Sequence, residues 1–117
     1  MIVIRNKTGG NERIGKYFKA HEFACRCGHC PISIVSEDLI LRLDLLRGII
    51  GEPLRISSGY RCWVHNAEVG GKEYSRHLHG AAADILFPTK NKDLLIKLCG
   101  KMFEYSYCGP NFIHVNV

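Results

Sequence analysis

The chain has 117 residues, of which 46% are hydrophobic and 23% charged; this fits one soluble globular domain able to bury a core without a metal to hold it together. Lys and Arg number 16 against 11 Asp and Glu, a formal net charge of +5 that weakly favours anionic material such as a cell-wall polymer or nucleic acid. No basic stripe with interleaved aromatics is visible, so a nucleic-acid partner is not expected, and no stretch approaches a membrane span.

The opening MIVIRNKTGGNERIGKYF lacks the apolar run of a secretion signal. The protein is therefore expected to be made in the cytoplasm and to reach an outside substrate only after release or delivery. Residues 1–17 read as an N-terminal arm, irregular or strand-bearing, interrupted by Gly9, Gly10 and Gly15. Residues 19–31 read as a loop with turns. The clearest helix is predicted over 36–50: Ser36 can cap it, Glu37 and Asp38 suit its positive end, and Gly51 and Pro53 stop it. Leu39, Leu43, Leu46 and Ile49 or Ile50 recur at helical spacing and should face the core.

Residues 54–61 read as a short strand entering a glycine turn, and 64–69 as a helical turn broken by Gly70 and Gly71. Residues 75–83 form a loop, followed by a strand from Ala82 that Pro88 ends. A second helix is predicted over 91–103, with Leu94, Leu95, Leu98 and Met102 on one side. Residues 104–111 read as a turn region and FIHVNV as the last strand. The pattern predicts an α+β fold: a small, mostly antiparallel sheet with flanking helices.

Six cysteines are many for this length. Cys25, Cys27 and Cys30 cluster as C-x-C-x-x-C, while Cys62, Cys99 and Cys108 are scattered. Free thiols are the leading expectation, because disulfides fit poorly with a chain lacking an export signal. A structural zinc at the cluster, completed by His21, His29 or a remote cysteine, is the further alternative; the paired-knuckle spacing that would mark such a site is missing.

The most informative segment is SRHLHGAAAD, which fits S-x-H-x-x-G-x-A-x-D through Ser75, His77, Gly80, Ala82 and Asp84. With His114 in the last strand, His77 and Asp84 make a three-ligand set suited to a catalytic zinc with one position open for water. Strand pairing would carry His114 across to Asp84, and alternation puts Phe112, His114 and Asn116 on one face. The bland alternative is a surface His77, a strand-edge Asp84 and a satisfied core His114.

Three further segments stand beside this motif: S-G-Y-R at Ser58–Arg61, Asn66 ahead of Val69-Gly70-Gly71, and F-I-H-V at Phe112–Val115. Together they resemble the zinc D-alanyl-D-alanine carboxypeptidase family, whose fold is shared with the hedgehog signalling domain, and look closest to its small phage and prophage branch. EFACRCGHC, residues 22–30, resembles the cysteine-bearing segment of that branch, so the similarity spans residues 18–117 of a single domain. The resemblance implies zinc bound by His77, Asp84 and His114. It implies Arg61 near the substrate carbonyl or carboxylate, where a guanidinium would hold a developing oxyanion; pairing with Glu68 or Asp84 is the structural alternative. Ser75 either binds substrate at the rim or caps its loop, and Asn116 is placed to hydrogen-bond substrate or orient a water.

Two positions depart from the family pattern. Many relatives carry an acid or imidazole three residues before the last histidine ligand, and the small branch commonly has an aspartate two residues after it. Here these are Asn111 and Asn116, amides that exchange protons poorly. Glu73, His79 and Glu104 are the remaining candidates for proton transfer. Two readings follow: a monomeric zinc metallopeptidase, carboxy- or endopeptidase, acting on peptidoglycan peptides, or a catalytically silent zinc domain that binds cell-wall peptide or a protein partner.

Overall fold

Two antiparallel sheets and three helices make an α+β fold. A computed structural model describes residues 1–6, 8 and 10–117; Gly9 of the predicted arm lies outside the described residues. The arm contributes β1 (Ile2–Arg5), which pairs with β2 (Ile32–Val35) in a two-stranded sheet. A 3-10 turn at Ala20–Phe23 lies in the stretch read as loop. It buries Phe23, whose ring meets that of Phe18 edge-on at 5.5 Å.

Helix α1 spans Glu37–Ile50. The Ser36 hydroxyl accepts a hydrogen bond from the Leu39 N–H, and Gly51 closes the helix in the left-handed region. Leu39, Leu43, Leu46 and Ile50 are buried, which settles the choice at the helix end: Ile49 is 57% exposed. After β3 (Ile56–Ser58) comes the short α2 (Trp63–Glu68), then β4 (Ala82–Leu86) and α3 (Lys92–Met102). In α3 the buried residues are Leu95 and Cys99, with Leu98 and Met102 packed against the core, whereas Leu94 is turned to solvent. The apolar stripe is thus rotated towards Cys99, which packs into the core as a small hydrophobe.

Residues 104–111 contain a strand that the turn signals in EYSYCGPN obscured, β5 (Tyr105–Cys108), before β6 (Phe112–Asn116). The four-stranded sheet runs β3-β4-β6-β5, with every neighbour antiparallel. Its inner face supplies Ala83, Ile85, Ile113 and Val115 to a core completed by α1, α3, Phe18 and Phe23. Its other face carries the buried polar residues Asp84, His114 and Asn116.

Gly80 fixes how the motif loop meets this framework. It sits at φ 67°, and a β-carbon there would collide with the Ile34 carbonyl of β2. The Gly80 carbonyl also accepts a hydrogen bond from the Ser36 N–H at 2.8 Å. Gly80→Ala is expected to destabilise the fold by roughly 2–3 kcal/mol, the left-handed penalty plus overpacking. Urea unfolding checks this; an unchanged midpoint would refute the tight seating.

Candidate metal centre

The sheet register assembles the centre. Asp84 of β4 lies directly opposite His114 of β6, and Ser58 of β3 opposite Asp84 on the other side. His77 comes from the 3-10 turn Arg76–His79, which Ser75 caps by accepting the His77 N–H at 3.2 Å. All three candidate ligands are buried, and one ligand atom from each lies within 4.8 Å of the others.

Hydrogen bonds at the back of each ring decide which nitrogen faces the centre. His77 Nδ1 is 2.6 Å from the Gly59 carbonyl. A carbonyl only accepts, so Nδ1 carries the proton and Nε2 presents its lone pair, 3.2 Å from Asp84 Oδ1. His114 Nε2 donates to Asn116 Oδ1 at 3.1 Å, which leaves the Nδ1 lone pair 2.9 Å from the same Asp84 oxygen. Two imidazole lone pairs and a carboxylate oxygen therefore converge on one point. That arrangement repels itself unless a cation sits within it, and it matches the donor set that a divalent metal takes.

Protons on the two facing nitrogens are the alternative to a cation: burial alone would raise the Asp84 pKa, but with both imidazoles protonated towards it their hydrogen bonds and charge outweigh burial and hold the carboxyl well below the usual carboxylate range. Asp84 Oδ2 turns the other way, 3.1 Å from Arg61 Nη2 in a largely buried ion pair. The guanidinium is further held by Ser58 Oγ at 3.0 Å and Asn66 Oδ1 at 3.2 Å. Arg61 thus takes the Asp84 partnership of the structural alternative and still lines the cleft; Glu68 is not among its partners.

The cleft holds about 310 Å³, and Ser75, Asn116 and the three candidate ligands all contribute to its wall. Ser75 therefore both caps its loop and reaches the rim. Of the cleft's charged side chains, Arg61, Lys72 and Arg76 are cationic, and Asp84 is the sole carboxylate among the described lining residues. Glu73, His79 and Glu104 are exposed and lie outside that lining, as does Asn111.

A model of the Peptidase M15 family matches residues 16–116. The chain belongs to the peptidase M15 family. This agrees, at the level of the family, with the zinc-peptidase resemblance in the sequence. No curated protein matches the chain. Among the described residues, no helix is long and apolar enough to cross a membrane.

The M15 cleft also contains two residues that sequence reasoning missed, Tyr105 and Tyr107. Their strand β5 pairs with β6 so that Tyr107 faces His114 and Tyr105 faces Asn116. The Tyr107 ring stacks on His114 with centroids 5.1 Å apart. The signal available was the alternation in Tyr-Ser-Tyr, a half-exposed edge strand masked by the Gly-Pro that follows.

Asn116, which lines the cleft, also accepts from His114 Nε2 and so orients that ring. Removing such a partner typically costs 10–100-fold in metal affinity. Asn116→Ala is accordingly expected to weaken zinc binding by about that factor, whereas Asn116→Asp retains it, since aspartate also accepts from Nε2. Competition with a chromogenic chelator measures this, and equal affinity in Asn116→Ala would remove the orienting role.

Proposed function

We propose that this M15 domain is a zinc-dependent peptidase acting on peptidoglycan stem or cross-link peptides, with His77, Asp84 and His114 as the zinc ligands. The observation that carries it is the convergence of two histidine lone pairs and the Asp84 carboxylate in a buried site open to a cleft. Zinc held there supplies Lewis-acid polarisation of the scissile carbonyl and makes a water nucleophilic at neutral pH.

The chain's own residues supply the rest. Gly59 and Asn116 hold the two rings in their ligating orientation. Arg61, fixed on three sides, offers its guanidinium to the developing oxyanion. Lys72 and Arg76 on the wall suit the carboxylates that stem peptides carry. Tyr105 and Tyr107, on the β5 side of the wall, carry hydroxyls that would relay the proton released by the attacking water to the leaving amine.

One observation favours the second reading, a silent zinc domain that binds wall peptide or a protein: among the described residues, the cleft wall has no carboxylate besides Asp84 to take a proton from water. Digestion of purified peptidoglycan by zinc-loaded protein, read by mass spectrometry, separates the two. New peptide ends support the peptidase and identify the bond. Wall binding without any fragment would establish the silent domain instead.

A further inference from the structure

Four cysteines gather away from the cleft. Cys62, scattered in sequence, joins Cys25, Cys27 and Cys30 with all four sulfurs within 4.8 Å of one another, while His21 and His29 contribute no ring nitrogen. The Cys27 and Cys30 sulfurs are 3.3 Å apart, and all four cysteines are free. Thiolates tetrahedrally arranged around zinc, with bonds of about 2.3 Å, stand roughly 3.8 Å from each other. The 3.3 Å Cys27–Cys30 separation is slightly shorter than this, and no sulfur pair exceeds 4.8 Å.

We propose that Cys25, Cys27, Cys30 and Cys62 form a closed tetrathiolate zinc site that fixes the loop carrying Arg61. Four protein sulfurs leave no position for water or substrate, which is the mark of a structural rather than a catalytic site. The backbone is arranged for thiolates. Gly28 takes the left-handed conformation, φ 78°, in the turn from Cys27 to Cys30. The N–H groups of His29, Cys62 and His65 point at the sulfurs of Cys27, Cys25 and Cys62, at 3.3, 3.4 and 3.4 Å. Cys25 is buried and the other three are half-buried, so water competes little for the ion. A Cys27–Cys30 disulfide would engage only two of four convergent sulfurs.

The site's position gives it a consequence for the cleft. Cys62 directly follows Arg61. The Tyr60 N–H donates to the Phe23 carbonyl at 2.9 Å, beside the cysteine segment, and the Arg61 N–H donates to the His77 carbonyl at 3.1 Å. Gly59, in the same stretch, accepts from His77 Nδ1. Residues 59–62 thus lie between the cysteine cluster and the motif loop, and a metal bound on one side sets both the guanidinium and the His77 ring on the other.

This inference does not depend on the protein being a peptidase. Its test is metal content and cobalt spectroscopy on protein purified under reducing, zinc-supplemented conditions. Wild type should hold about two zinc ions per chain, and His77→Ala, which keeps every cysteine, about one. Cobalt(II) in His77→Ala should show intense sulfur-to-metal charge transfer. Cys62→Ser, checked for folding by circular dichroism, should lose the second ion and retain the first. A His77→Ala protein without zinc, a cobalt spectrum lacking thiolate charge transfer, bound iron in place of zinc, or an intact mass showing a disulfide would each overturn the proposal.

Discussion

His77→Ala should lower cleavage of peptidoglycan peptides at least about a thousandfold, because it removes a ligand on which several kcal/mol of Lewis-acid stabilisation depend. The remaining pair, Asp84 and His114, still meet at 2.9 Å, but two ligands hold zinc weakly beside a widened opening. His114→Ala should behave alike, whereas His79→Ala should leave activity within about twofold, since His79 is exposed and outside the cleft wall. The measurement is release of wall fragments together with zinc content. Full activity in His77→Ala would refute the ligand assignment. Inactivity in both wild type and variant, with wild type holding one zinc more per chain than His77→Ala, would leave the metal site standing and replace the peptidase with the silent binding domain.

Arg61→Ala is expected to reduce kcat by about 10²–10³-fold while zinc stays bound, the cost of losing one oxyanion-stabilising donor. Arg61→Lys should recover little of this. Lysine cannot reproduce a fork that meets Ser58 Oγ, Asn66 Oδ1 and Asp84 Oδ2 at once. The competing role is purely structural, in which Arg61 only orients Asp84. That role predicts weaker zinc binding with kcat intact once the site is saturated. Steady-state kinetics at saturating zinc, alongside the zinc dissociation constant, separate the two; a change confined to metal affinity would end the oxyanion role.

Helix α1 was legible because its signals agree: a Ser36 cap, acidic residues in the first turn, leucines at helical spacing and a glycine stop. The face-to-face placement of Asp84 and His114 was likewise foreseeable from two short strands and their alternation. Strand β5 was not, since an edge strand needs no continuous apolar run and its tyrosines gain their partners only from β6. Glu73 and Glu104 could be named as proton-transfer candidates by residue type alone. Their side chains turn out to be exposed and outside the cleft, a matter of local backbone direction that spacing does not encode.

By itself the sequence determined the chemistry on offer: two histidines and an aspartate in one motif and strand, an arginine upstream, amides at Asn111 and Asn116, and a cysteine trio. Only the tertiary structure decided how these groups meet. Which imidazole nitrogen faces Asp84 depends on Gly59 and Asn116, each supplied by a strand end or turn whose neighbour is set by sheet pairing. That Cys62 completes the cysteine cluster depends on a segment 32 residues beyond Cys30 folding back beside Phe23. Side-chain type is local information, whereas ligand geometry arises from contacts between residues distant in the chain, and burial of a shared core is what brings them together.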